Sequence, residues 1–195
     1  MEKLLAAYLP EKSLPIVINW FSEHHFNLKI KNNRSTKLGD FRPPKKTVEL
    51  PTITINKDLT PEQFLITLTH EFCHLIVWEQ HKNKVKPHGK EWKSVFSEHL
   101  IFLVNNQIFE EPLATIIFRH ARNPKASTFA DPVLYKHLNK QKNQLLLKDL
   151  STNQSFSFKN RVFIKKETRR TRAICMEIKS NKMYLINLMA EVEIC

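Results

Sequence analysis

The sequence predicts an α+β protein with two structured parts. Apolar residues recur with helical spacing in the N-terminal part, which also holds short strand patterns, whereas beyond residue 141 they alternate with a period of two. We therefore divide the 195 residues into a mixed domain over 1–111, a linker with a short helix over 112–140, and a small antiparallel β-rich domain over 141–195.

The mixed domain is predicted to begin with helical structure followed by strands. One apolar helix face is formed by Ile16, Val17, Trp20 and Phe21. Alternation predicts strands from the apolar residues Leu28, Ile30, Val48, Leu50, Ile53 and Ile55. The polar, basic segment between the two groups of strand residues contains Gly39, which we assign to a turn.

Two helices are predicted next. Thr60 and Gln63 have the spacing of a capping box, so a helix begins there. Its core stripe consists of Leu65, Leu68, Phe72 and Ile76. His70 and His74 fall on the opposite side and are therefore expected to face something other than that stripe. A second helix covers residues 89–104.

The remaining chain is predicted as linker and strands. Asn123-Pro124 and Asp131-Pro132 mark the linker, and a short helix is expected over residues 133–140. Strand patterns follow over residues 145–150, 154–158, 161–165, 172–178 and 183–188.

Composition excludes several classes of enzyme. The chain has two glycines, Gly39 and Gly89, and so contains no GxxxxGK[ST] loop, GxGxxG fingerprint or GxSxG elbow. Its three cysteines form no CxxC pair, so neither a thiolate zinc ribbon nor a disulfide framework is expected. No apolar run approaches the roughly 20 residues of a membrane span, and we expect a cytoplasmic protein.

The positive charge is concentrated in the C-terminal part. The formal net charge is +12, and residues 112–195 carry 16 basic against 6 acidic side chains. Because such clustering is typical of phosphate-binding surfaces, we expect sequence-nonspecific contact with DNA. The candidate contacts are Arg161, Lys165, Lys166, Arg169, Arg170 and Arg172, together with Lys37 and Arg42 in the mixed domain. Val162 and Ile164 are expected to face the core, with Arg161 and Lys165 on the opposite face.

The strongest chemical signal is the HExxH motif His70-Glu71-Phe72-Cys73-His74. Histidines at positions i and i+4 lie one helical turn apart, so both imidazoles can bind one Zn²⁺. Glu71 between them can reach a zinc-bound water and act as general base. A catalytic zinc needs a third protein ligand, and His88 is the candidate because it begins the next helix across a loop. His81, His99, His120 and His137 lack such geometry and are assigned to the surface or to satisfied core positions.

The motif and the following His88-Gly89-Lys90-Glu91-Trp92 resemble the SprT-like zinc metalloprotease family. The basic, glycine-containing segment over residues 35–42 is similar to the hairpin that precedes the catalytic helix in that family. The resemblance covers roughly residues 10–105 and implies a zincin-like domain with His70, His74 and His88 as zinc ligands and Glu71 as base. Many family members carry a cysteine-rich zinc ribbon after this domain, and this chain has none. Beyond the zinc, the hairpin residues Arg42 and Lys37 are candidates for a transition-state donor.

Three functions remain open from the sequence. The leading expectation is a zinc metalloendopeptidase acting on proteins associated with or crosslinked to DNA, a substrate class implied by the resemblance. The second is a non-proteolytic nucleic-acid-binding factor with a structural or vestigial zinc site. The third is a peptidase for free cytoplasmic polypeptides. Glu71 favours an enzyme over the second alternative, because a purely structural site has no use for a base beside its ligands.

Overall fold

The computed structural model of the chain describes residues 2–34, 37–45, 49–127, 130–139 and 145–195. Their architecture is mixed α+β, as predicted, with a five-stranded antiparallel sheet in the C-terminal part. The chain divides into two compact units, Met1–Leu138 and Asn139–Cys195. None of the helices in the described ranges is long and apolar enough to cross a membrane.

The first unit contains six α-helices, a 3-10 helix over Glu11–Ser13 and three strands among its described residues. The helices are α1 (Glu2–Ala6), α2 (Leu14–Glu23), α3 (Pro61–His81), α4 (Lys90–Asn105), α5 (Leu113–Ala121) and α6 (Pro132–Leu138). The strands are β1 (Asn27–Lys31), β2 (Gly39–Arg42) and β3 (Thr52–Asn56). They form one sheet in the order β1-β3-β2, in which β1 is parallel and β2 antiparallel to β3.

Helix α3 is the centre of the first unit's core. It begins where the sequence predicts, because Thr60 and Gln63 form a capping box with both reciprocal hydrogen bonds in place. The predicted stripe is buried, and Phe72 stacks on Trp20 of α2 with ring centroids 4.4 Å apart. Helix α3 also packs against β2 and β3, so its third turn lies beside the sheet. This packing holds the segment with the HExxH motif between the sheet and α4.

The second unit is a meander of short strands. They are β4 (Ser155–Phe158), β5 (Arg161–Thr168), β6 (Arg172–Glu177), β7 (Met183–Asn187) and β8 (Glu193–Ile194). The sheet order is β7-β6-β5-β4-β8, with every neighbouring pair antiparallel. Phe156 and Phe163 stack in its core at 5.7 Å, and a register shift interrupts β5 between Lys165 and Glu167.

Several local predictions differ from the structure. Leu113–Ala121 forms α5 within the predicted linker, because its apolar residues, among them Ile117, are buried in the first unit's core. Leu147–Asp149 is a 3-10 turn rather than part of a strand, and Asp149 accepts a hydrogen bond from the backbone N–H of Leu146. Leu50 lies outside β3, and Val48, predicted with it, lies outside the described residues. The domain boundaries themselves stay predictions.

Candidate metal centre and active site

His70 and His74 lie on consecutive turns of α3, and His88 joins them from the loop before α4. Gly89 is the N-cap of α4, and its N–H donates to the carbonyl of Lys86 in a tight turn. This turn directs His88 back onto α3. The three histidines form a cluster that could hold a metal ion, and no other group of three His, Cys, Asp or Glu in the described ranges does so.

Trp92 of α4 supports all three imidazoles. Its indole is fully buried, and Nε1 donates a hydrogen bond to the backbone carbonyl of His70 at 3.4 Å. Its ring centroid lies 4.6 Å from that of His70, 5.3 Å from His74 and 4.8 Å from His88. The indole therefore restricts the orientation of each ring before any ligand binds.

The spacing of the three ring nitrogens fits zinc. The Nε2 atoms of His70 and His74 are 3.2 Å apart, those of His74 and His88 are 3.1 Å apart, and those of His88 and His70 are 3.2 Å apart. Ligands at about 2.0–2.1 Å from a tetrahedral zinc lie about 3.3 Å from one another. Three imidazoles are also the donor set of one type of catalytic zinc site, which keeps a fourth position open.

The three imidazoles are held in the neutral form that binds metals. Burial, followed by repulsion from the neighbouring imidazoles, lowers the pKa of His70 to about 2. Burial and the nearby His88 lower the pKa of His74 to about 4. Burial also lowers the pKa of the more exposed His88. Since only the neutral ring binds a cation, these environments favour metal binding over protonation at neutral pH.

Glu71 lies beside the cluster and against strand β2. The residue is only 7% exposed, and the backbone N–H of Phe41 donates to its carboxylate. Burial and the nearby carboxylate of Asp40 raise the pKa of Glu71 to about 8. A carboxyl group with a raised pKa is a stronger proton acceptor than one in water, which suits a general base.

Gly39 has a role that the sequence does not predict. It begins β2 rather than forming a turn, and its φ is not positive. A Cβ at this position would lie 2.7 Å from Glu71 Oε1 and 2.8 Å from Thr67 Cγ2. Glycine is therefore required because the backbone of β2 approaches the Glu71 carboxylate so closely.

A cleft of about 660 Å³ opens over the cluster. Besides the three histidines and Glu71, it is lined by residues of β2, α3, the α3–α4 loop, α4, α5 and the segment after α5. Its apolar lining includes Phe41, Val77, Trp78, Val85 and Pro87. A cavity of this size, mostly apolar and with a few convergent polar groups, is typical of a ligand-binding site.

His120 of α5 also lines this cleft, although the sequence assigns it to the surface or a satisfied core position. It is 4% exposed, and its Nδ1 lies 2.7 Å from Asp131 Oδ2. The other oxygen of Asp131 accepts from the backbone N–H groups of Val133 and Leu134, both at 3.2 Å, as an N-cap of α6 does. The signal for Asp131 was present in the sequence, because aspartate followed by Pro132 is a helix start. Nothing local indicates that His120 reaches the cleft.

The two predicted phosphate contacts of the first unit share one acidic partner. Lys37 Nζ lies 2.8 Å from Asp40 Oδ1, and Arg42 Nε lies 2.7 Å from Asp40 Oδ2. Lys37 also lines the cleft. Both cations are therefore partly neutralised, and neither donates to the histidine cluster.

In the second unit the predicted basic residues have different environments. Lys165 is buried, and its Nζ donates to the carbonyls of Leu147 at 3.0 Å and Leu150 at 2.7 Å. Its assignment to the surface is therefore wrong. The strand reads Arg-Val-Phe-Ile-Lys, which is apolar on both faces, so alternation does not define the inner face, and Phe163 rather than Val162 is buried.

Arg161 forms an ion pair with Glu177. Its guanidinium carbon lies 4.5 Å from the ring centroid of Tyr184. Arg169 pairs with Glu167 at 3.2 Å. Arg170 and Arg172 are exposed at the turn between β5 and β6, and Lys166 is half-buried. Arg170 and Arg172 form no ion pair with a described residue.

The fold and the site together define an α+β domain with a cluster of three histidines, two on an HExxH helix and one from the loop that follows it. The SprT-like family model matches residues 15–107, so this part of the chain is a SprT-like family domain. The matched residues include the three histidines and Glu71, and they end before α5. No curated protein and no solved structure matched the chain.

Proposed function

We propose that this protein is a zinc-dependent metallopeptidase of the SprT-like type. The observation that carries the proposal is the triangle of Nε2 atoms at 3.1–3.2 Å with the buried carboxyl group of Glu71 beside it. The SprT-like match supports it, because members of this family are typically metallopeptidases. A purely structural metal site would not require Glu71 or an open cleft of about 660 Å³.

In this proposal His70, His74 and His88 hold the zinc. Bound there, zinc supplies Lewis acidity, which polarises a carbonyl group and acidifies water. Glu71 takes the proton of the attacking water, and its burial gives the carboxylate the affinity for a proton that this step needs. Strand β2 pairs with β3 and with no other described strand, and in this proposal the backbone of an extended peptide pairs with its outer edge.

The test deletes the base while keeping the metal ligands. Glu71→Gln should retain zinc and fold but lose hydrolysis of an unfolded test protein, by about 10²-fold or more. Glu62→Gln, on the first turn of the same helix, is the control and should behave as wild type. Equal hydrolysis by wild type and Glu71→Gln would refute the peptidase proposal.

We further propose that the substrates are proteins bound to or crosslinked with DNA. Arg170 and Arg172 support this proposal, because they are exposed at one turn and have no acidic partner among the described residues. Each phosphate that they neutralise on a single strand should contribute about −0.7 to the slope of log affinity against log salt. Sequence preference should be weak, since phosphate contacts carry no base information.

A matched pair of variants tests the DNA proposal. Arg170→Ser with Arg172→Ser removes two charges from the β5–β6 turn, and Lys179→Ser with Lys182→Ser removes two exposed charges from the next turn. Titration of single-stranded DNA at several salt concentrations should show a slope smaller by about 1.4 for the first variant only. Equal slopes for both variants would mean that Arg170 and Arg172 do not bind DNA phosphates and serve only solubility. That result would favour a peptidase for free polypeptides.

The alternative of a non-proteolytic nucleic-acid-binding factor is distinguished by the same proteins. It predicts the salt-dependent DNA binding without hydrolysis by wild type. Salt-dependent binding together with hydrolysis lost in Glu71→Gln would support the peptidase acting on DNA-bound proteins.

A further inference from the structure

The two ring nitrogens of His120 differ in their hydrogen bonding. Nδ1 bonds to Asp131, and no described residue hydrogen-bonds Nε2. Among the described residues, no buried side-chain nitrogen or oxygen lacks a partner, so Nε2 is not sealed inside the protein. Since the ring lines the cleft, Nε2 has access to the space above the metal centre.

His120 lies at the His70 end of that cleft. Its ring centroid is 6.3 Å from Phe96, and the ring of Phe96 is 5.5 Å from that of His70. A peptide bound across the cluster would therefore pass within reach of groups on α5.

Asp131 holds His120 in one orientation. Its Oδ1 is occupied by two backbone N–H groups of α6, which leaves Oδ2 aimed at His120 Nδ1. A carboxylate in this position fixes the orientation of the imidazole ring through Nδ1. Nε2 is therefore the ring nitrogen that faces the cleft.

The other cations of the cleft do not offer a comparable donor. Lys37 is paired with Asp40 at 2.8 Å, and Lys82 Nζ lies over the ring of Trp78 at 4.0 Å from its centroid. Lys125, the third lysine that lines the cleft, is exposed. All three are long, flexible side chains. His120 is rigid, buried and oriented by a second residue, as a preorganised donor must be.

We propose that His120 is a catalytic residue that donates a hydrogen bond from Nε2 to the carbonyl oxygen of the scissile peptide, and that Asp131 is its positioning residue. The proposal rests on the proposed peptidase function. Both residues lie outside the SprT-like match over residues 15–107.

The reaction is balanced without a further co-reactant. The water oxygen adds to the carbonyl carbon, and one water proton passes to Glu71. The carbonyl oxygen gains negative charge, which Nε2–H of His120 stabilises while keeping its own proton. The C–N bond then breaks, and the leaving nitrogen takes the proton from Glu71.

Kinetics of three variants test the assignment. His120→Phe keeps a buried ring without the donor and should lower kcat by about 10²–10³-fold with KM changed less than threefold, as loss of a transition-state donor does. His120→Gln restores a neutral N–H donor and should recover about tenfold of that loss. Asp131→Asn retains the N-cap and should lower kcat about tenfold. Zinc content and melting temperature are measured on each protein.

An NMR titration gives a readout that is independent of activity. An uncleaved peptide added to the zinc-loaded Glu71→Gln protein should shift the ring resonances of His120 and leave those of the exposed His25 unchanged. A wild-type kcat in folded, zinc-loaded His120→Phe would overturn the proposal. If that variant does not fold, unshifted His120 resonances at saturating peptide overturn it instead.

These experiments distinguish failure of the proposed peptidase function from failure of the proposed role of His120. A wild-type protein that binds zinc but cleaves no peptide refutes the peptidase and the catalytic role together. A wild-type protein that cleaves peptide, with the His120 variants equally active, refutes only the role of His120.

Discussion

Replacing Gly39 by alanine tests how closely β2 and the base are fitted together. The added Cβ would lie 2.7 Å from Glu71 Oε1, 2.8 Å from Glu71 Cγ and 2.8 Å from Thr67 Cγ2. Ordinary contact begins at about 3.5 Å, so the carboxylate or the strand must move by about 0.8 Å. Rotation of the Glu71 carboxylate alone does not relieve the overlap, because Glu71 Cγ and Thr67 Cγ2 lie equally close to the added Cβ.

Two effects of different size follow from that displacement. Overpacking of a buried site costs about 1–3 kcal/mol of unfolding free energy. A misplacement of about 1 Å at a reacting group costs about 10²-fold in rate, so kcat/KM should fall by about that factor. Zinc content should stay at the wild-type level, because the three atoms nearest to the added Cβ belong to Glu71 and Thr67.

The assay combines urea unfolding, zinc analysis and hydrolysis of a fluorogenic peptide on the same preparation. Gly89→Ala is the comparison, since its nearest contacts would be 3.1 Å, to Glu91 Oε2 and the carbonyl of Lys86, which requires a smaller shift. Its unfolding free energy should fall by less than that of Gly39→Ala. If Gly39→Ala has wild-type stability and wild-type kcat/KM, the close approach of β2 to the base is not a constraint and the reasoning is wrong.

Two further predictions concern the second unit. Lys165→Met should lower the unfolding free energy by about 2–3 kcal/mol, because the carbonyls of Leu147 and Leu150 lose their buried donor. Lys166→Met should change it by less than about 0.5 kcal/mol, and equal urea midpoints for the two variants would contradict the buried position of Lys165. The hydrogen bond from Arg161 lowers the pKa of Glu177 to about 2. The stability from this pair is therefore present above the ordinary carboxyl pKa of about 4.3 and lost as pH falls towards 2. Wild type should melt above Glu177→Gln at pH 6 and level with it near pH 2, and a difference that does not shrink with acid would count against the ion pair.

The sequence predicts those parts of the site that depend on local spacing. The capping box of Thr60 and Gln63 defines where α3 begins, and the helical repeat then places His70 and His74 together. His88 was predictable because the short loop and Gly89 restrict where the next helix starts. These predictions needed only local geometry and the demand of zinc for a third ligand.

The remaining features of the site depend on tertiary packing, which local sequence patterns do not predict. The predicted turn at Gly39 is wrong because the strand β2 approaches Glu71 from a distant part of the chain. His120 reaches the cleft only because α5 packs on α4 and Asp131 caps α6. The inner face of β5 was assigned wrongly, since apolar residues lie on both sides of that strand and the buried position of Lys165 is determined by carbonyls of another segment.

The central claim is that His70, His74 and His88 hold one zinc ion, and metal analysis tests it most directly. We predict about one zinc per chain in the purified wild-type protein and in Glu71→Gln, with loss of most of that zinc in each single alanine variant of the three histidines. His81→Ala, at the end of the same helix and outside the cluster, should keep its zinc. A wild-type protein that binds no zinc at saturating metal, or a His88→Ala variant that retains a full equivalent, would contradict the claim.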